Sequence, residues 1–298
     1  MKTKNLLLSG TLALGLIMFN ACSENDADAP LVPQVEVNTD ITEQDAEIED
    51  LVESVFDELD AYLSADTETS TSAQLKSAEE NPIGCPTVIV DRPEDARYPK
   101  VVTFDFGTEN CEDRHGRLKR GKIIVTKTGP HFNAGSERTV EFDDFYVNDN
   151  SVDGTRKYKN EGQNDDGNWE FSTDIDVTIE TTEEISWTRK AAKTRTMIAG
   201  ADTKRYPWDD EFLITGTSSG TSSLGFGVER EITTAIYRKR TCKFPVSGIV
   251  EVVKTKDDVQ TKTWLDYGAG ECDYNATVTD EEGNVKEITL GKRFKKRK

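Results

Sequence analysis

The cysteines and histidines are the side chains of this chain best suited to covalent or metal chemistry, and their spacing argues against both. Lys2 and Lys4 precede an apolar run, Leu6 to Phe19, that is too short for a comfortable membrane span. The run reads as a secretory signal. The four cysteines beyond Cys22, at positions 85, 111, 242 and 272, therefore face an oxidising compartment. They contain no C-x₂-C pair, so two disulfides rank far above a zinc site, with three connectivities open. His115 lies in a turn with Gly116, and His131 follows Gly129-Pro130. Neither belongs to a metal or nucleophile motif, and both are expected at the surface. No catalytic, cofactor-binding or metal-binding residue is expected.

Acids are abundant, but nothing in the sequence selects a pair at glycosidase spacing. Asp149 to Gly154 matches the start of a calcium loop. The twelfth position is Asn160, where a bidentate Glu is needed, and strands flank it where helices should. A hairpin is expected there, and another at Asp165-Asp166-Gly167-Asn168. Calcium at these turns is left open. Arg205-Tyr206-Pro207-Trp208-Asp209 reads as a loop. Its Trp208 is the candidate aromatic for binding a sugar or a protein, and the four tryptophans, 169, 187, 208 and 264, include candidates for the core.

The elements that would position these residues fall in two parts. Over 42–63, Ile48, Leu51, Val52, Val55, Phe56, Leu59, Tyr62 and Leu63 form one apolar stripe. This predicts an amphipathic helix, with Thr42 and Asp45 as a capping-box variant and Glu49, Glu53 and Asp60 off the stripe. Residues 64–82 are rich in Ser, Thr, Ala and Glu and read as a linker. From 83 to 290 the period changes to two. Strands are expected at Thr87–Val90, Lys100–Phe106, Lys122–Thr126, Arg138–Val147, Trp169–Glu180, Ile185–Arg189, Glu211–Thr215, Val228–Tyr237, Gly248–Val253, Lys262–Tyr267, Asn275–Thr279 and Lys286–Leu290. Turn signals separate them. The fold class is mainly β: an antiparallel meander, either one curved sheet over the helix or a sandwich. Gly216 to Gly227, rich in Gly, Ser and Thr, fits a weak strand pair or a mobile loop.

Phe104-Asp105-Phe106-Gly107…Cys111 resembles Leu265-Asp266-Tyr267-Gly268…Cys272, and each block follows an earlier cysteine. The likeness suggests an internal duplication with one disulfide per half, Cys85–Cys111 and Cys242–Cys272. Each bridge would stabilise by about 3–4 kcal/mol in the chain-entropy model.

The end of the signal run decides its type. Of Phe19-Asn20-Ala21 only Ala21 is small, and Cys22 follows at once. Phe19-Asn20-Ala21-Cys22 resembles the lipobox of bacterial lipoproteins, with Phe19 where Leu is usual and Asn20 where Ala or Ser is usual. Ser23-Glu24-Asn25-Asp26-Ala27-Asp28 resembles the acidic export signal of surface-exposed Bacteroidota lipoproteins. The resemblance implies that residues 1–21 are removed and Cys22 is lipidated. It implies an outer-membrane protein, lipid-anchored and displayed at the cell surface, with residues 22–41 as an acidic tether. In outline, a curved sheet over a helix resembles carriers of the LolA type.

The net charge is −19, and residues 23–80 alone carry −17. Such a segment is repelled by nucleic acid, so none is expected as a partner. Residues 291–298 form a basic tail. The leading expectation is a non-enzymatic binding or scaffold protein whose partner is a glycan, a lipid or an envelope protein. The alternatives are an envelope carrier of a hydrophobic ligand and, third, a glycan or peptide hydrolase. Cys22→Ala should move the protein from the membrane to the soluble fraction. An intact mass without acyl chains on residue 22 of the wild type would refute the anchor.

Overall fold

The computed structural model describes residues 40–64, 86–92, 96–113, 116–203 and 206–291. One helix, α1 (Asp40–Ser64), is followed by β1 (Thr87–Asp91), β2 (Lys100–Asp105), β3 (Cys111–Glu112), β4 (Leu118–Lys127), β5 (Glu137–Val147), β6 (Asn150–Gln163) and β7 (Trp169–Glu180). Then come β8 (Ser186–Ala199), a 3-10 turn (Pro207–Asp209), β9 (Glu211–Ser222), β10 (Phe226–Lys239), β11 (Ser247–Lys256), β12 (Val259–Ala269), β13 (Asn275–Asp280) and β14 (Val285–Thr289). They form one sheet, a meander from β1 at one edge to β14 at the other, with the short β3 beside β4. Every pairing is antiparallel. Of the two expected architectures, the structure is the single sheet.

The helix dictates the curvature. A 25-residue helix is about 37 Å long. The strands along the path would span about 60 Å if laid flat. Yet α1 touches both flanks: Thr42 reaches Thr263 of β12, Glu43 pairs with Lys286 of β14, and Tyr62 packs on Phe104 of β2. The sheet therefore coils around the helix. Ile48, Leu51, Val52, Val55, Phe56 and Leu59 are buried against Phe104, Val125, Val140, Val177, Phe212, Val250 and Leu265 of its inner face. Glycines permit the bends. Gly216 has φ +126°, and a Cβ there would lie 2.2 Å from the Ala192 carbonyl oxygen; Gly154 stands in the same way against Asp176.

Some expectations change and others hold. The helix starts before Thr42, and the Thr42 hydroxyl bonds Thr263 rather than capping α1. Of the two alternatives for residues 216–227, the structure shows the strand pair, the β9–β10 hairpin. The calcium-like stretch is the β5–β6 hairpin: Asn148 and Asp149 both have positive φ, as a two-residue type I′ turn needs, and Asp149 pairs with Arg120 at 2.6 Å. β6 and the second half of β8 were not expected as strands at all.

The two similar turns are built alike. Asp105 Oδ1 accepts from the Gly107 N–H at 2.9 Å, and Asp266 Oδ1 from the Gly268 N–H at 2.8 Å. Both glycines have positive φ, and the aromatics between, Phe106 and Tyr267, are buried. Cys242 and Cys272 are bridged as expected. Cys111 is disulfide-bonded, and Cys85 lies outside the described residues.

Gly216→Ala must push the Ala192 backbone aside at a φ that L residues avoid. It should cost about 1–3 kcal/mol, read as a lower urea midpoint at unchanged slope. A midpoint equal to wild type would show that the kink is not needed.

Candidate functional site

In a strand, alternate residues share a face, so a cation in phase with core residues points into the core. Arg138 is in phase with Val140, Arg156 with Tyr158, Arg189 with Ala191, Arg195 with Met197, and Arg230 with Val228; all are buried. They do not face solvent because α1 brings acids to them. Asp60 lies between Arg156, at 2.9 Å, and Arg138, at 3.3 Å. Asp45 is gripped by Arg189 and Arg230. Glu49 meets Lys193 and, at 3.3 Å, Arg189; Glu53 meets Lys193 at 2.7 Å and Arg195 at 3.2 Å. The Arg156 guanidinium also lies over the Phe56 ring, 4.6 Å from its centroid. At the helix C-terminus the Lys127 ammonium donates to the Leu63 carbonyl, a cation where the helix dipole favours one.

Glu49, Glu53 and Asp60 were expected off the apolar stripe, and Asp45 as a capping-box residue. Instead Asp45, Glu49 and Asp60 are buried, and they form a charged seam within the apolar interface. Burial alone would raise the Asp60 carboxyl. The Arg156 and Arg138 charges, with the hydrogen bond from Arg156, outweigh it and hold its pKa below the ordinary value. Glu49 is opposed by burial in the same way and is held far down by Lys193, Arg230 and Arg189. Burial opposes the charge on Lys193, but Glu49 and Glu53 win and raise its pKa.

His131 is buried, not at the surface. Its ring stacks on Phe171 with centroids 4.8 Å apart, and its Nδ1 meets the Arg138 guanidinium. A guanidinium only donates, so Nδ1 accepts and the ring is neutral. Burial first, then Arg138, Lys127 and Arg240, keeps its pKa well below the ordinary value. Asp210 shows the opposite shift. Burial lifts its carboxyl to about 6, although the Arg240 Nε lies 3.0 Å away. The Arg240 N–H also bonds the Asp210 carbonyl, so the pair clasps the β8–β9 connection to the end of β10.

The outer face carries an open concavity. A trough of about 550 Å³ runs over β8 and β9, with Ala192, Thr217 and Ser219 among its floor residues. Register explains its walls. One row across the sheet reads Asp174, Ala192, Thr217, Glu231, Glu251, Trp264, and the next reads Asp176, Lys190, Ser219, Glu229, Val253, Lys262. Small side chains on two adjacent strands leave the hollow, and acids on β7, β10 and β11 wall it. Lys190 pairs with Asp176 at 2.8 Å, while Glu251 takes Lys262 at 2.8 Å and the Trp264 indole N–H at 3.2 Å. Among the described residues no three His, Cys, Asp or Glu side chains converge as metal ligands.

The expected site residues are scattered. Cys22, Cys85 and His115 lie outside the described residues. Trp208 is half-buried in the 3-10 turn, which sits against α1, so it is not a free loop aromatic. Its neighbour Tyr206 is the exposed ring, and Trp187 is core. Sequence reasoning missed the inward cations. Their signal was phase: each falls on the apolar parity of its strand.

Asp60→Asn leaves Arg138 and Arg156 buried without their counter-charge, and should cost about 3–5 kcal/mol at pH 7. Because the Asp60 pKa is lowered on folding, its contribution is full above the unfolded value near 4. It is lost as pH falls through the folded value. The gap between variant and wild-type denaturation midpoints should therefore close in acid, and a gap that stays constant down to the acid transition would contradict the ion-pair account.

Among family models, curated proteins and solved structures, none matches this chain, so its functional reading rests on the seam and the trough.

Proposed function

We propose that the chain is a lipid-anchored outer-membrane protein, displayed at the cell surface, that binds or scaffolds without catalysis. The anchor rests on Cys22 at the end of the signal run and on the acidic stretch behind it. The observation that carries the binding reading is the filled inner face. Helix α1 occupies the concave side with its apolar stripe and with four acids paired to sheet cations. A carrier would keep that space for its ligand. Recognition then falls to the outer face, where the trough offers an open polar hollow beside the Trp264 indole. The seam carboxylates are poor general acids or bases, since Asp60 and Glu49 are held ionised by cations they cannot leave.

The test is to display the mature protein, screen it against glycans, lipids and envelope proteins, and repeat with Ala192→Trp, which fills the floor of the trough. Binding should weaken by about tenfold or more, as when a central contact is lost, with no change in the denaturation midpoint. Turnover of a glycan or peptide that disappears on changing one Asp or Glu would overturn the non-enzymatic reading.

A further inference from the structure

The two edges of the sheet are built differently. β1 has β2 on one side, and among the described residues no strand lies on the other. Such an edge presents its N–H and C=O groups as a template for a further strand. Natural edges are blunted by Lys, by Pro or by other charges within the run. β14 carries Lys286 and Glu287. β1 instead has an apolar centre, Val88-Ile89-Val90, with Thr87 at one end and Asp91 at the other. Ile89 is 52% exposed on the outer face, in a row with Thr103 and Ile124.

Register decides which backbone groups are left over. In an antiparallel ladder each residue turns both its N–H and its C=O to one side, and successive residues alternate. The Phe106 N–H bonds the Gly121 carbonyl, so Phe106, Phe104 and Val102 turn theirs to β4. Asp105, Thr103 and Val101 therefore turn theirs to β1, where they meet Thr87, Ile89 and Asp91. The groups of Val88 and Val90 point away from the sheet, and among the described residues no backbone group bonds them.

These leftover groups fit a second copy of the same strand. A two-fold axis through Ile89 sets Val88 against Val90 of the partner subunit, and each such pair exchanges both backbone bonds. Ile89 then faces its own copy as a non-hydrogen-bonded pair, the kind whose side chains come closest. Thr87 faces Asp91 of the partner subunit, so its hydroxyl can donate to that carboxylate and no like charges oppose. Neighbouring registers fit less well. Shifted by two residues one way, Ile89 meets Asp91 of the partner subunit. Shifted the other way, Val90 meets Pro86 of the partner subunit, which has no N–H to give.

We infer that β1 pairs antiparallel with β1 of a second copy, about a two-fold axis through Ile89, so that the two sheets continue as one. Such a contact is isologous and closes: it consumes the β1 edge of both copies and leaves none open for further growth. This goes beyond the binding reading above and does not rest on it.

The experiment is cysteine cross-linking of the full mature protein under mild oxidation, with links identified by peptide mass spectrometry. Opposed residues of a non-hydrogen-bonded pair lie about 4.5 Å apart at Cα, within the disulfide range. Ile89→Cys should therefore link to itself between copies. The two copies of Thr87 are offset by the length of the strand, about 13 Å. Thr87→Cys and Asp91→Cys should each fail to self-link, while an equal mixture of the two variants should link 87 to 91. Sedimentation velocity gives an independent reading. The edge is short, so the wild type should be a reversible dimer at about 100 µM. Ile89→Lys sets two ammoniums opposite each other and should weaken the dimer about tenfold or more. Its side chain is exposed, so the variant should keep the circular dichroism and urea midpoint of the wild type. A wild type that stays monomeric at that concentration, a dimer that persists in the folded Ile89→Lys variant, or Thr87→Cys that self-links as readily as Ile89→Cys would each overturn the pairing. An open-ended ladder of species would overturn it as well, and would assign β1 to the β14 edge of the next copy.

Discussion

The buried charge seam between α1 and the sheet is the constraint on which the rest of the molecule depends. Cations placed on the inner face of a sheet are costly in apolar surroundings unless each meets an anion. Here the anions come from one helix. Asp45, Glu49, Glu53 and Asp60 descend α1 at steps of four and seven residues, and Arg230, Arg189, Lys193, Arg195, Arg156 and Arg138 meet them in turn. Net stabilisation from such pairs is modest, because desolvation offsets attraction. Their larger effect is on register. An apolar stripe could slide along an apolar groove at little cost, but a helix moved by one turn would leave guanidiniums buried and unanswered. The pairs fix where α1 lies, and the apolar residues between them supply the binding energy.

The same seam explains the sheet. The strands that carry the seam cations, β5, β6, β8 and β10, form most of the middle of the meander. Small residues sit among them: Ala191, Gly216 and Ser218 follow one another where the helix carries Asp45 and Glu49. Small inner residues let the helix backbone come close, and glycines with positive φ let the strands bend around it. The outer trough is the opposite side of that design. Strands that need small residues within also carry Ala192, Thr217 and Ser219 without, and a hollow is the result.

Much of this was legible before any coordinates. The stripe Ile48 to Leu63 marks the helix, and the turn signals mark a meander of antiparallel strands. The two Asp-aromatic-Gly turns are recognisable as one device, down to the aspartate that binds the glycine N–H. What failed to show has one cause. β6 and the second half of β8 place Arg156, Asn160, Lys193 and Arg195 on the inward parity. A search for alternating apolar residues passes over such segments, since tertiary pairing, not local pattern, makes these side chains core residues. His131 was misplaced for the same reason. The trough could not be read at all: Asp174, Glu231 and Glu251 come together only through strand register, which the sequence does not print.

The order of the strands along the chain has a consequence for how the molecule assembles. Every strand on the main path pairs with the next strand on it, so the sheet can grow by adding hairpins from either end, and none of these steps needs a long loop to close. The helix is the opposite case. Its contacts join residues 96, 144, 185 and 221 positions apart. Among the described elements it is the first to leave a ribosome or a translocon and the last whose partners exist. Until β12 is in place, an apolar stripe bearing unpaired carboxylates waits without its groove. Those carboxylates keep the waiting helix soluble, and once the sheet is complete the same groups seat it.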